Sequence, residues 1–253
     1  EDADKIVPYI EINLKGSWLM KNQLMVLDIL AHNDWDRPVY FVTGQHEDAL
    51  GLEEYFQLEG LAYRLVPIKG VNNGWFEYGQ IDTGILYENM MNRFTWTGSS
   101  DPEVYLDYYH NRTLTVVRAR LNYAKLAREL AAEGDTARAA EVINRCIELF
   151  PASKMGYDFY FGDIISACFA SGQREKAMEL ASDYASYYEE RTGYLLDQKP
   201  SVYMYAEAEI ANGLQMMMQA IRVCYENGET DLAEEINVGY NELYTRYVNV
   251  YQR

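Results

Sequence analysis

Basic charge is what this chain most lacks. Its 253 residues carry 39 Asp and Glu against 22 Lys and Arg, a formal charge of −17. The deficit is even, with 18 acids to 8 bases through Arg112 and 21 to 14 beyond it. There is thus no basic stripe to grip a phosphate backbone or an anionic bilayer, and nucleic-acid and membrane-surface binding are disfavoured. Cysteine is scarce as well: Cys146, Cys168 and Cys224 form no C-x-x-C motif, cannot all pair, and fall on apolar helix positions where a free thiol acts as a small hydrophobe. No apolar run approaches the roughly 18–20 residues a membrane-spanning helix requires. The densest stretch, Leu24–Ala31, is interrupted by Asp28 and predicts a single buried helix. The start, Glu1-Asp2-Ala3-Asp4, has no initiator Met and no signal-peptide pattern, and reads as a fragment or mature portion.

Catalytic signatures are equally thin. The nucleophile elbow, the P-loop and the dinucleotide fingerprint are missing, and the three histidines, His32, His46 and His110, form no H-E-x-x-H pair. His46-Glu47-Asp48 is the most site-like cluster, either a ligand loop after a strand or a solvated loop. The adjacent pairs Glu53-Glu54, Glu189-Glu190 and Glu234-Glu235 point in different directions on a helix and read as solvated faces. Neither a catalytic residue, nor a metal ligand, nor a cofactor is expected.

What the chain does contain is punctuation. A Gly, four residues and an Ala recur at Gly134–Ala139, Gly172–Ala177 and Gly228–Ala233, each between two helical patterns. Gly suits a helix-ending turn and Ala a close helix crossing, so these are the joints of helical hairpins. Tyr123, Leu126, Ala127, Leu130, Gly134, Ala139, Ile143, Cys146 and Pro151 follow the tetratricopeptide pattern. A second copy holds Phe161, Ile164, Cys168, Gly172, Ala177, Ala181 and Tyr184 but has Ile165 at a usually small position; a looser third holds Met217, Ala220, Cys224, Gly228, Ala233, Asn237 and Tyr240. The last two glycines are further apart than the first two, which predicts an elongated helix or loop around Tyr194–Ser201.

Residues 1–100 read differently. Apolar residues from Leu19 to Ala31, after a cap at Gly16-Ser17, predict a helix ending at Asn33-Asp34. Val39–Thr43 and Ala62–Ile68 read as strands, and the intervening residues are long enough for a helical crossover joining parallel neighbours. Asn72-Asn73-Gly74 marks a turn, Asp82 caps a helix to about Asn92, and Thr97–Pro102 is a polar breaker. The expected fold is mainly α: a small α/β N-terminal unit over 1–100, then a tetratricopeptide-like helical-hairpin array of about three pairs over 101–253, docked on the first unit.

Pro8–Gly16, Lys21–Leu30, Arg37–Phe41, Leu50–Phe56 and Tyr63–Pro67 together resemble the soluble C-terminal region of bacterial multi-pass membrane proteins long known only as a domain of unknown function. That family is similar to membrane glycosyltransferases that use lipid-linked sugars, among them a vertebrate protein O-mannosyltransferase. The resemblance implies a tail on the periplasmic side of the inner membrane, without the loops that hold the catalytic acids in such enzymes.

Tyrosine is abundant, with 23 copies, several of them clustered. It fills repeat cores with its hydroxyl at the surface, or it forms platforms for a bound chain. In the repeat register the exposed side of each first helix carries Arg128; then Phe159, Ser166 and Phe169; then Gln215, Arg222 and Tyr225. The expected function is a non-catalytic accessory scaffold of a membrane glycosyltransferase-like protein, holding acceptor protein, glycan or a partner subunit along that groove. Two alternatives stand beside it: a soluble enzyme with a pocket between the two units that uses His46 and Glu47, and a purely structural tail.

Overall fold

In the computed structural model, residues 3–14, 17–42, 49–70 and 78–251 are described. They are mostly helical, and the chain divides into two compact units, Glu1–Thr95 and Trp96–Arg253. The first contains a four-stranded mixed sheet, β1 (Tyr40–Phe41), β2 (Phe56–Leu58), β3 (Tyr63–Leu65) and β4 (Gln80–Ile81), in the order β1-β3-β2-β4. β3 is antiparallel to both β1 and β2, and β4 is parallel to β2. The expected crossover between parallel neighbours is therefore wrong. The residues between the first two predicted strands carry a strand of their own, β2, which turns back at once into β3. Gly60, at φ +146° with the Phe94 ring against it, lets the chain reverse there. Glu59 at the end of β2 is buried and accepts hydrogen bonds from Tyr40 Oη (2.6 Å) and Gln57 Nε2 (2.8 Å). This satisfies a carboxylate that would otherwise be costly inside the sheet.

Helix α1 (Lys21–Asn33) precedes the sheet. It begins later than expected, since Met20 N–H is satisfied by Gln23 Oε1 at 2.9 Å. It ends where predicted, at Asp34, which takes a left-handed conformation. The expectation that it is buried fails. None of its residues is buried, and Leu24, Met25 and Ile29 are 59%, 57% and 54% exposed. Its apolar residues spread around most of the circumference, and only Val26, Leu27 and Leu30 turn towards the cluster of Leu52, Tyr55, Phe56 and Leu65. Asp82 Oδ1 accepts from Ile85 N–H (2.8 Å) and caps α2 (Thr83–Tyr87), which continues as a wider-wound segment through Arg93.

The second unit is a set of helical hairpins: α3 (Val117–Ala132) with α4 (Thr136–Leu149), α6 (Phe161–Ala170) with α7 (Arg174–Leu196), and α8 (Pro200–Glu226) with α9 (Thr230–Tyr251). The short α5 (Ala152–Met155) joins the first pair to the second. α3 packs on α6, and α7 packs on both α8 and α9. The elongation expected near Tyr194 is taken up by the length of α7 and α8, which leaves only a short turn between them.

Each repeated glycine closes the first helix of a hairpin in the same way. Gly134, Gly172 and Gly228 have φ of +89°, +79° and +80°. In each case the next residue's N–H reaches back five residues, Asp135 to Leu130 O (2.8 Å), Gln173 to Cys168 O (2.9 Å) and Glu229 to Cys224 O (2.9 Å). The glycine N–H bonds the carbonyl three residues back, which completes a Schellman cap. Five residues on, Ala139, Ala177 and Ala233 are wholly buried. A Cβ on any of the three glycines would meet nothing within 4 Å, so the backbone conformation alone selects Gly. Gly172→Ala is expected to destabilise the unit by about 1–2 kcal/mol, the cost of a left-handed L-residue. The urea unfolding midpoint measures this, and an unchanged midpoint contradicts it.

Candidate binding surface of the helical unit

The connection from α4 to α6, Phe150–Tyr160, has little regular structure to hold it. Two arginines from the preceding helical segment do so instead. Arg120, on α3 and almost fully buried, donates to Phe150 O (2.7 Å), Gly156 O (2.9 Å) and Asp158 Oδ2 (2.6 Å). Its Nε finds no hydrogen-bond partner among the described residues, and its guanidinium lies 5.3 Å from the centre of the Phe161 ring, a cation–π contact. Arg112 donates to Met155 O (3.1 Å) and lies over the Tyr108 ring. Asp158 Oδ1 in turn accepts from Tyr160 N–H (2.9 Å), which shapes the turn that presents Phe159 and Tyr160 at the start of α6. Phe159 is 50% exposed, edge-on to Tyr160.

Beside this turn Arg128 of α3 pairs with Asp163 of α6 at 3.1 Å. Ser166 lies one turn further along α6 and Phe169 one turn beyond that; both are half-buried. Arg128, Phe159, Ser166 and Phe169 thus belong to one region of α3 and α6. Gln215, Arg222 and Tyr225 lie along one stripe of α8, all exposed. Arg222 pairs with Glu226 of its own helix at 3.6 Å. No described contact joins these three directly to Phe169 or Ser166.

The link between the two groups is a residue the sequence reading passed over. Gln219, on the same stripe of α8, packs onto Gly162 of α6, where a side chain of any size would collide with it. Its Oε1 accepts from Tyr184 Oη at 3.0 Å. Gly162, the second residue of α6, was the available signal, because a glycine inside a helical pattern usually has a packing reason. Tyr184 itself is wholly buried, in a ring cluster with Tyr157, Phe161 and Tyr188. Tyr55, Tyr123 and Tyr184 are thus core, whereas many other tyrosines lie at the surface, Tyr105 and Tyr205 almost fully exposed.

The buried hydroxyls and thiols of the helical unit are held neutral. Burial pushes the hydroxyl of Tyr123 up to about 12 and raises those of Tyr184 and Tyr188 further, so these groups are neutral donors at physiological pH. Burial likewise raises the thiols of Cys168 to about 12 and Cys224 to about 11, and that of Cys146 beyond them, which leaves all three unreactive. Among the described residues no group of His, Cys, Asp and Glu is arranged to hold a metal ion. His46-Glu47-Asp48 lies outside the described residues.

Residues 1–85 match the family model described as TMEM260-associated domain 2. Over that stretch, essentially the sheet-bearing unit, the chain is similar to a domain of a membrane-protein family. Among the described residues no helix is long and apolar enough to cross a membrane. No curated protein and no solved structure matches the chain.

Two outcomes follow from the buried groups. Arg120→Met removes the cation from beside Asp158 and frees three acceptors, at a cost of about 3–5 kcal/mol in unfolding free energy. Chemical denaturation reads that loss, and a change under about 1 kcal/mol would remove Arg120 from this role. In the unfolded chain the tyrosine hydroxyls ionise near their ordinary value of 10.0, whereas in the folded chain Tyr123 holds its proton to about 12. The stability they contribute is intact below about pH 10 and falls as pH rises through the folded values. Circular dichroism should show cooperative loss of helix in that alkaline range, less pronounced in Tyr184→Phe.

Proposed function

We propose that Trp96–Arg253 is a tetratricopeptide-like array that holds an extended polypeptide, an acceptor protein or a partner subunit, as the non-catalytic accessory part of a membrane glycosyltransferase-like protein on the periplasmic side of the inner membrane. The array reading rests on the three equivalent Schellman caps, each followed by a buried alanine. It is supported by two polar ties between successive hairpins. Lys176 of α7 donates to Asn144 of α4 at 2.6 Å, and Arg174 at the start of α7 makes a bidentate pair with the buried Glu229 in the α8–α9 turn. Both ties connect second helices or their turns, which leaves the first helices α3, α6 and α8 to offer the binding face.

The observation that carries the binding reading is the mixture on that face. Phe159 and Tyr225, 50% and 47% exposed, provide aromatic area, while Gln215, Arg128 and Arg222 provide donors in an otherwise acidic protein. Exposed aromatic rings with interspersed amide and guanidinium donors suit an extended chain, whose alternate side chains and backbone carbonyls need both. The membrane-protein context is supported by the family match over residues 1–85. A purely structural tail is the competing reading, favoured by the ion pairs that already engage Arg128 and Arg222.

Selection from a displayed library of random peptides on the purified chain tests the proposal. Binders are expected whose affinity falls at least about tenfold when Arg128, Phe159 and Tyr225 are all changed to Ala. Failure to enrich any peptide, or affinities unmoved by the triple change, supports the structural tail. Retention on an oligosaccharide array without peptide binding assigns the face to glycan instead. Sugar transfer or hydrolysis by the chain alone would overturn the non-catalytic reading.

A further inference from the structure

Beneath α1 the first unit contains a cavity of about 440 Å³. Its walls are Ile10 and Ile12 of the N-terminal segment and Leu27 and Leu30 of α1, and its floor is Leu52 and Leu65. The cavity opens to solvent on one side, past the exposed Tyr9 and Trp35, so its aliphatic lining is left in contact with water. It is as large as a small-molecule site. A second observation points the same way: Leu27 and Leu30, the residues α1 turns inward, are only half-buried although the floor beneath them is fully buried. Val26, Leu27 and Leu30 reach the cluster on the sheet, yet the cavity beside them leaves room for a further apolar layer, which nothing described in the chain supplies.

The lining specifies what that layer is. Its deep part is aliphatic and presents no side chain able to hold water, so it takes hydrocarbon in preference to solvent. Apart from Tyr9 of the N-terminal segment, 72% exposed, the polar lining side chains lie at the end of α1, where Asn33, Asp34 and Trp35 form the rim. The Asn33 amide is already used, donating to Arg37 O at 2.8 Å. Asp34 is exposed, and no basic side chain lines the cavity, so the rim repels an anionic head and accepts hydrogen bonds from hydroxyls. Trp35, 55% exposed, adds a ring edge at the rim of the kind that sits between hydrocarbon and water.

We propose that this cavity binds the single hydrocarbon chain of an amphiphile with an uncharged, hydroxyl-bearing head, the chain lying between α1 and the sheet and the head at Asp34 and Trp35. The site belongs to the first unit alone and is independent of the peptide-binding reading of the second. It also agrees with the acidic surface, which disfavours anionic lipid.

Methyl NMR on the full chain, with decyl glucoside below its micellar concentration as probe and decanoate as the anionic counterpart, tests the proposal. Saturable shifts are expected at the methyls of Ile10, Leu27, Leu30 and Leu52, with decanoate at least about tenfold weaker. Leu30→Trp fills the void and should abolish the shifts at Ile10 and Leu52. Asp34→Asn, a surface change that leaves the void intact, should bring decanoate close to decyl glucoside. Shifts confined to the outer residues Leu24, Met25 and Ile29 would mean detergent adsorption and overturn the proposal, as would the absence of saturable shifts. Equal affinity of the unaltered chain for the two probes would overturn the assignment of the head.

Discussion

The buried guanidinium of Arg120 is the constraint on which the helical unit turns. A charge in an apolar interior is costly unless it is partnered, and here the two terminal nitrogens donate to two carbonyls and a carboxylate from one connecting segment while the Phe161 ring lies against the guanidinium. That segment cannot be relaxed without stranding the charge, so its path from α4 to α6 is specified far more tightly than its irregular backbone would suggest. Everything placed by that path follows: the turn at Asp158, the exposed Phe159, the start of α6 and the Phe161 ring under the guanidinium. From α6 the order passes to α7 and α8 through Tyr184 and Gln219, a polar route through an aromatic cluster.

The two units are built on different terms. In the second, regularity comes from three equivalent caps and from alanines that let helices cross closely, and arginine pairs then fasten one hairpin to the next. In the first, short strands are held by a buried Glu59 network and a small apolar cluster, and α1 is left with hydrophobic side chains on faces that nothing described covers. The first unit is where the family match lies, while the surface argued to hold a chain lies in the second.

Local signals were legible where one residue's conformation decides the outcome. The glycines of the hairpin joints could be read because only Gly is at ease at a left-handed helix end, and Asp82 could be read because its carboxylate reaches the N–H three residues on. Strand direction could not: the residues between Phe41 and Tyr63 are long enough for either a crossover or a third strand, and the Gly60 reversal chose the strand. The burial of α1 was misjudged for a related reason. A helix apolar on most sides looks buried by composition, but burial depends on a partner, and composition cannot say whether one is present. Among the residues proposed to bind, those at helical spacing on α3, α6 and α8 were accessible to periodicity, whereas Gln219 and Asp158 matter to the packing because of what approaches them.

Alone, then, the sequence determined the acidic surface, the capped hairpins with their buried alanines, and the inert thiols. Each of these depends on side-chain chemistry or on backbone preference within a few residues. Tertiary structure decided the order of the sheet, the gathering of the α4–α6 connection by Arg120, the link across α6 and α8, and the void beneath α1. These depend on which distant surfaces meet and how completely they fill the space between them, a balance of packing and desolvation that no local pattern encodes.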